Sequence, residues 1–570
     1  MNSYTLFLKR AVYGVLPAML LLGSCTKEKL SPKSDYRPVT DARGNTLMRL
    51  VNLGDFNQVQ VNGDTLTNYT ILHPNDAKKY PATKYFPDNG RLGTIWNIPK
   101  AVFNEKGEAS IYTEAANYNP SPQTGVTINV NENSNEAIDY YLLQDKFYVE
   151  GLPEWKAVPR DITAPSRPDY CKVRIINLSG KVQNSPMESL EGNMTLTWAD
   201  GTPVHTATSD IAVEGVSPYI EIPYGTYQLK VLNNMGIQVP AVGGPSGENA
   251  RLMDVNTSTM VFSLLNQTVE SIGLTYVPIQ TYQPGGIYTI VIHPATVTYN
   301  SQKEDIDTRQ NCIRIIEDIA APANRTYGRV QLVNAWSEGD LQLYIDGAPS
   351  GGTAAYTQAS EAGAIIAGHH LFEVKSANGT QLASTTANLL AGDHFSIWAA
   401  PGKDGNASAL VVSNNLSGSW NADNSGDDGS LAGRSKKIPL DIRFMNFSNE
   451  PFISITGKDG QPYGATSPQN LQPGIVPIAQ PLLSLGMSTN TPYSFMVFRS
   501  APGVVPGTWI ADIPVVTSTA FIARPQLYTH ASRMLPYMEP GVYSMALVGT
   551  TAAGAAPEKK ARLMIIKHTK

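Results

Sequence analysis

The sequence predicts an all-β fold of antiparallel β-sandwich domains in tandem, and three observations carry that prediction. Forty prolines and 47 glycines are spread over 570 residues, so apolar stretches stay short, which favours strands over long helices. A strand pattern ending in Asn occurs four times, each copy more than a hundred residues from the last. Further landmarks, among them glycine-led strands, then follow in a common order within the copies. A chain of this length exceeds a single core, and about three to five domains are expected. Charged residues make up 16%, against the roughly 25% usual for soluble proteins. A net charge of −5 over so long a chain gives no basic field, which excludes nucleic acid as an expected partner.

The first element is a leader. Lys9 and Arg10 form a basic start, and Ala11 to Leu22 follow as an apolar run without charge. That run falls short of the roughly 20 residues a spanning helix needs, and Gly14 and Pro17 interrupt it. It ends in Leu22-Gly23-Ser24-Cys25, which resembles the lipobox of bacterial lipoproteins. Small residues before the cysteine let a peptidase reach the backbone, and the thiol takes a diacylglycerol. The expectation is a signal peptide over 1–24, recognised at Leu22, Gly23 and Ser24, and a lipidated Cys25 opening a polar tether over 25–45. The alternative is an ordinary secretory signal with an incidental cysteine. Acyl chains would hold the protein to a lipid bilayer, each buried methylene contributing about 0.8 kcal/mol.

The opening strand reads Met48-Arg49-Leu50-Val51-Asn52 in copy one and Val173-Arg174-Ile175-Ile176-Asn177 in copy two. Copy three has Val330-Gln331-Leu332-Val333-Asn334, and copy four Ile442-Arg443-Phe444-Met445-Asn446. Alternation suits a strand with one face in a core, and the Asn suits a turn. An alternating strand closed by a turn follows, Leu341 to Gly347 in copy three and Val59 to Gly63 in copy one. Next comes a glycine-led strand, Tyr224-Gly225 to Val231 and Ala367-Gly368 to Val374. A closing strand then begins at Gly286-Ile287-Tyr288, Gly392-Asp393-His394-Phe395 or Gly541-Val542-Tyr543, with a degenerate form at Asp139 to Leu143. Turn residues every ten or so positions point to Ig-like sandwiches.

This order, with its Asn-ended opening and Gly-led hairpin, resembles an uncharacterised (DUF4397-like) domain family found in tandem in Bacteroidota lipoproteins. The match is good in copy three, fair in copy two, and limited to the first and last landmarks in copies one and four. The resemblance implies an extracytoplasmic β-sandwich and carries no catalytic residues. The expected domains are 46–165, 170–320, 327–413 and 438–570, with a Ser/Asn/Gly/Asp linker over 414–437.

Few residues invite chemistry. Asn421 to Asp428 is oxygen-rich, but counting from Asn421 puts Gly426 sixth and Ala432 twelfth, so the bidentate glutamate of a calcium loop is missing. His369 and His370 are neighbours on a strand and point to opposite faces, so they do not share a metal, and none is expected. His394 reads as structural. Cys171 and Cys312 read as two separate buried thiols, with a disulfide as the alternative. Trp96, Trp155, Trp198, Trp336, Trp398, Trp420 and Trp509 are dispersed and read mainly as core aromatics, Trp420 being the odd one in the linker. Asp64-Thr65-Leu66 resembles an O-glycosylation acceptor at Thr65.

Neither a Gly-x-Ser-x-Gly elbow nor a His-Glu-x-x-His pair occurs. The expectation is therefore a non-enzymatic, cofactor-free lipoprotein of the outer membrane, facing the cell surface and serving as a binding or adhesion arm for a glycan or protein ligand. A polysaccharide-binding lipoprotein beside an outer-membrane transporter, and a fimbrial or envelope-structural subunit, are the alternatives. Thr26-Lys27-Glu28-Lys29 holds one acidic residue after the anchor, so the periplasmic face also stays open.

Overall fold

The computed structural model describes residues 44–570 except 71–79, 117–124, 133–135, 144–148, 184–189, 243–253, 257–260, 264–270, 273, 276, 278, 301–304, 320, 322–323, 403, 415, 417–439, 462, 464–467, 477–482, 486–492, 525–538 and 540. The protein is all-β, and among the described residues every helical element is a 3-10 turn of three or four residues. Two compact units are present. One holds Met1–Val51, Phe56–Tyr140 and Ala157–Pro159, and the other holds Asn52–Asp55, Tyr141–Lys156 and Arg160–Lys570.

Copy three shows the plan most fully. Gly363–Ile366, Tyr327–Asn334, His394–Pro401 and Ala407–Ser413 form one sheet in that order. Ala348–Ala354, Leu341–Ile345, Gly368–Ser376 and Gln381–Leu389 form the other. Copy one has the same order in Ile95–Pro99, Asn45–Asn52, Ile138–Leu142 and Trp155–Pro159, and in Asp64–Thr65, Gln58–Val61, Glu108–Glu114 and Val126–Asn131. Copies two and four keep the first sheet, on strands that open at Tyr170 and Leu440, and keep part of the second.

Two features refine the antiparallel reading. The opening strand runs parallel to the glycine-led strand near the end of each of copies two, three and four, for example Val330 beside Phe395 and Phe444 beside Met545. Parallel partners need a long crossover, and here the rest of the sandwich supplies it. The strand read as closing is also one short of the end. It hairpins into a further strand, Asp305–Ile319, Ala407–Ser413 or Arg562–Lys567.

The repeated residues have local reasons. Asn334 accepts a hydrogen bond from the Trp336 amide (2.9 Å) and donates to the carbonyls of Gly339 (2.9 Å) and Ala354 (3.0 Å). Asn177 does the same with Ser179, Gly192 and Ile211, and Asn446 with Ser448, Glu450 and Leu471. The Asn is thus a buried stitch that ties the strand end to crossing loops. In Gly-x-Tyr the tyrosine ring folds back over the glycine. A Cβ would lie 2.5 Å from Tyr288 at Gly286 and 2.9 Å from Tyr543 at Gly541. The hairpin turns Asn62-Gly63 and Asp346-Gly347 have positive φ at both residues, as a two-residue turn requires.

Inner faces form the cores. In copy three Val330, Leu332, Leu343, Phe372, Val374 and Ile397 meet between the sheets. The outer face of that copy is also apolar. Val333, Trp398 and Val412 pack against Met445, Phe447, Ala546 and Ile566 of copy four. This is why these strands read as nearly continuous apolar runs. Copies three and four therefore share a buried interface as well as the 414–437 connection, most of which lies outside the described residues.

Candidate functional site

Where copies two, three and four meet, they enclose a cavity of about 410 Å³, within the range of small-molecule sites. Copy two contributes Tyr224, Gly225 and Tyr227, copy three Arg329, Glu361 and His394, and copy four Lys567, His568 and Lys570. The parallel pairing sets Arg329 directly beside His394 on the outer face of copy three, with Gln331 and Ser396 next in the row.

Arg329 is 9% exposed. Its Nη1 donates to the Tyr224 carbonyl and the Tyr227 hydroxyl, and its Nη2 donates to the Ala362 carbonyl at 2.7 Å. Gly225 makes that seat possible, because a Cβ there would stand 2.0 Å from Nη1. The other cations on the wall are paired, Lys570 with Glu361 at 3.0 Å and Lys567 with Glu539 at 3.2 Å. Glu539 also faces Lys230 at 4.0 Å, and burial pushes that ammonium down to about 8 against the pull of the carboxylate. Burial, helped by Arg329, pushes His394 down to about 3, so its ring is neutral.

A Ser–His pair adjoins the cavity. Ser544 Oγ lies 2.8 Å from His568 Nε2, and Gln331 Nε2 is 2.9 Å from His568 Nδ1. Burial and the neighbouring His394 and Arg443 hold His568 well below its ordinary value. Ser544 is fully buried and does not line the cavity, so the trio ties copy three to copy four rather than presenting a nucleophile.

The residues singled out in the sequence are scattered. Leu22, Gly23, Ser24, Cys25, Asn421 to Asp428 and Trp420 lie outside the described residues. Thr65 is exposed on a two-residue strand. His369 is exposed, while His370 bonds Asp346 (2.6 Å) and the Ile366 carbonyl (2.7 Å). No group of three or more metal-ligating side chains occurs among the described residues. Cys171 and Cys312 are both free and buried. Trp96 and Trp398 are buried, Trp155, Trp198 and Trp336 half-buried, and Trp509 exposed. Among the described residues weighed for chemistry, His394 reaches the cavity wall, as do Tyr224, Gly225, Gln331, Gly392 and Asp393 of the repeated strand patterns. Sequence reasoning missed Arg329 and His568, whose only signal is a charged or ionisable residue inside an apolar strand run.

No protein-family model and no curated protein matches the chain. Among solved structures, the Bacillus anthracis TIE protein aligns at 7% identity with a TM-score of 0.11, over 79% of this chain and 64% of that one. A likeness of that size carries no argument about fold or function.

Proposed function

We propose that the chain is a non-enzymatic lipoprotein of the outer membrane, held by acylated Cys25 and presenting its sandwiches at the cell surface for binding or adhesion. The observation that carries this reading is the ordered sequence of basic start, short apolar run and Leu22-Gly23-Ser24-Cys25. The resemblance of the repeat to tandem Bacteroidota lipoprotein domains supports it, as does the repeated sandwich with a ligand-sized cavity. Metabolic labelling with a palmitate analogue tests it. The wild-type chain should take the label and sediment with membranes, and Cys25→Ala should do neither. Sedimentation of an unlabelled Cys25→Ala chain would refute the anchor.

A second reading, a polysaccharide-binding lipoprotein beside an outer-membrane transporter, is favoured by Trp509. It is 45% exposed at the end of Val504–Trp509 and offers a flat face for a sugar ring. Slowed migration in glycan-containing gels, lost in Trp509→Ala, would support this reading. Unchanged migration across a panel of glycans would count against it.

A further inference from the structure

We propose that the cavity between copies two, three and four binds a small hydroxylated carboxylate, of the sugar-acid class, through Arg329. Arg329 is a buried guanidinium whose hydrogen-bond partners are all neutral oxygens; Glu361 attracts it from the same wall but pairs with Lys570, and no carboxylate of the described residues lies within ion-pairing distance of Arg329. A buried charge is costly unless it is paired, and a carboxylate is the partner that a guanidinium fits best.

The cavity wall also leaves other polar atoms unanswered. Arg329 Nε and His394 Nε2 have no hydrogen-bond partner, and both residues are buried and line the cavity, where the Tyr224 hydroxyl stands with Asn324. Buried polar groups are almost always satisfied, so two orphans on one wall point to a polar ligand. A neutral histidine nitrogen and a phenol suit hydroxyl groups, which both donate and accept. Asn324, Gln283 and Ser360 extend the same mixed character around the wall. An acid without hydroxyls would leave these groups unmet, and a neutral sugar would leave Arg329 unpaired.

This inference rests on reading the chain as a binding protein, yet the two fail separately, because anchoring is read by fractionation and this site by titration. Calorimetric titration of the detergent-solubilised full chain with D-glucuronate, D-glucose and cyclohexanecarboxylate tests it. Glucuronate should bind, and the other two should bind at least about tenfold more weakly, since each lacks one set of charged or polar contacts. Arg329→Gln should weaken glucuronate by about tenfold or more. Should that variant fail to fold, Ala391→Trp fills the cavity from its wall and should abolish binding while leaving thermal unfolding unchanged. Absence of glucuronate binding, equal binding of glucose, or binding that survives Ala391→Trp would each overturn the proposal.

Discussion

Arg49 and Asp139 meet through two hydrogen bonds, 2.8 Å from Nε and 2.6 Å from Nη2, with both side chains buried. They belong to the opening strand and the seventh strand of copy one's sandwich, and the same station recurs in the other copies. Arg174 stands beside Thr289, Gln331 beside Ser396 and Arg443 beside Ser544. Arg174 and Gln331 bond those neighbours at 2.8 and 2.9 Å, while Arg443 donates to the Ser413 carbonyl. The polar residue in the repeated pattern is therefore buried on the outer face of the strand.

Arg49→Met should destabilise the protein by about 3 kcal/mol, because it leaves Asp139 buried without its cation. The double variant Arg49→Met/Asp139→Leu should recover most of that loss. Urea unfolding of the three proteins checks this, and a double variant no more stable than the single one would show that the pair is not the cause.

Asn334→Ala removes three hydrogen bonds and strands the buried Ala354 carbonyl, at about 2 to 3 kcal/mol. Asn334→Asp should cost as much, since a carboxylate cannot donate to Gly339 and Ala354. Thermal unfolding should rank both variants well below the native chain.

Acid should loosen the junction. The folded value of His394, about 3, lies below its ordinary 6.5, so the unfolded chain takes up the proton first. The stability this histidine contributes is complete above about pH 6.5 and falls by about 1.4 kcal/mol per pH unit as the pH drops towards 3. His394→Gln should be less stable at pH 7.5 but lose stability less steeply between pH 6 and 4.5. Parallel slopes in a pH series of unfolding curves would contradict this.

Burial raises the Cys171 and Cys312 thiols far above the ordinary range, so neither forms thiolate in the native state. A thiol reagent should therefore modify neither before the chain unfolds. Mass spectrometry of peptides containing each residue reads the result.

Much of the plan was legible in the sequence. The four Asn-ended strands, the Asn62-Gly63 and Asp346-Gly347 turns and the Gly-x-Tyr pairs are local signals, set by backbone sign and by neighbours two residues apart, and each occupies the role its chemistry suggests. The parallel pairing was hidden, because Val330 and Phe395 become neighbours only after the intervening strands have folded. The cavity was hidden for the same reason. Arg329 follows the alternation expected of a solvent-facing residue, and only the packing of copies two and four over that face buries it. The face of copy three that carries Trp398 gave a partial hint, since an apolar run on both faces of a strand calls for a second packed layer.

The central claim is display at the cell surface on a lipid anchor, and proteinase digestion of intact cells tests it most directly. An antibody against the segment from Leu440 to Lys570 would follow copy four, with lysed cells as control. Loss of the signal in intact cells is the result this account predicts. Digestion only after lysis would contradict it.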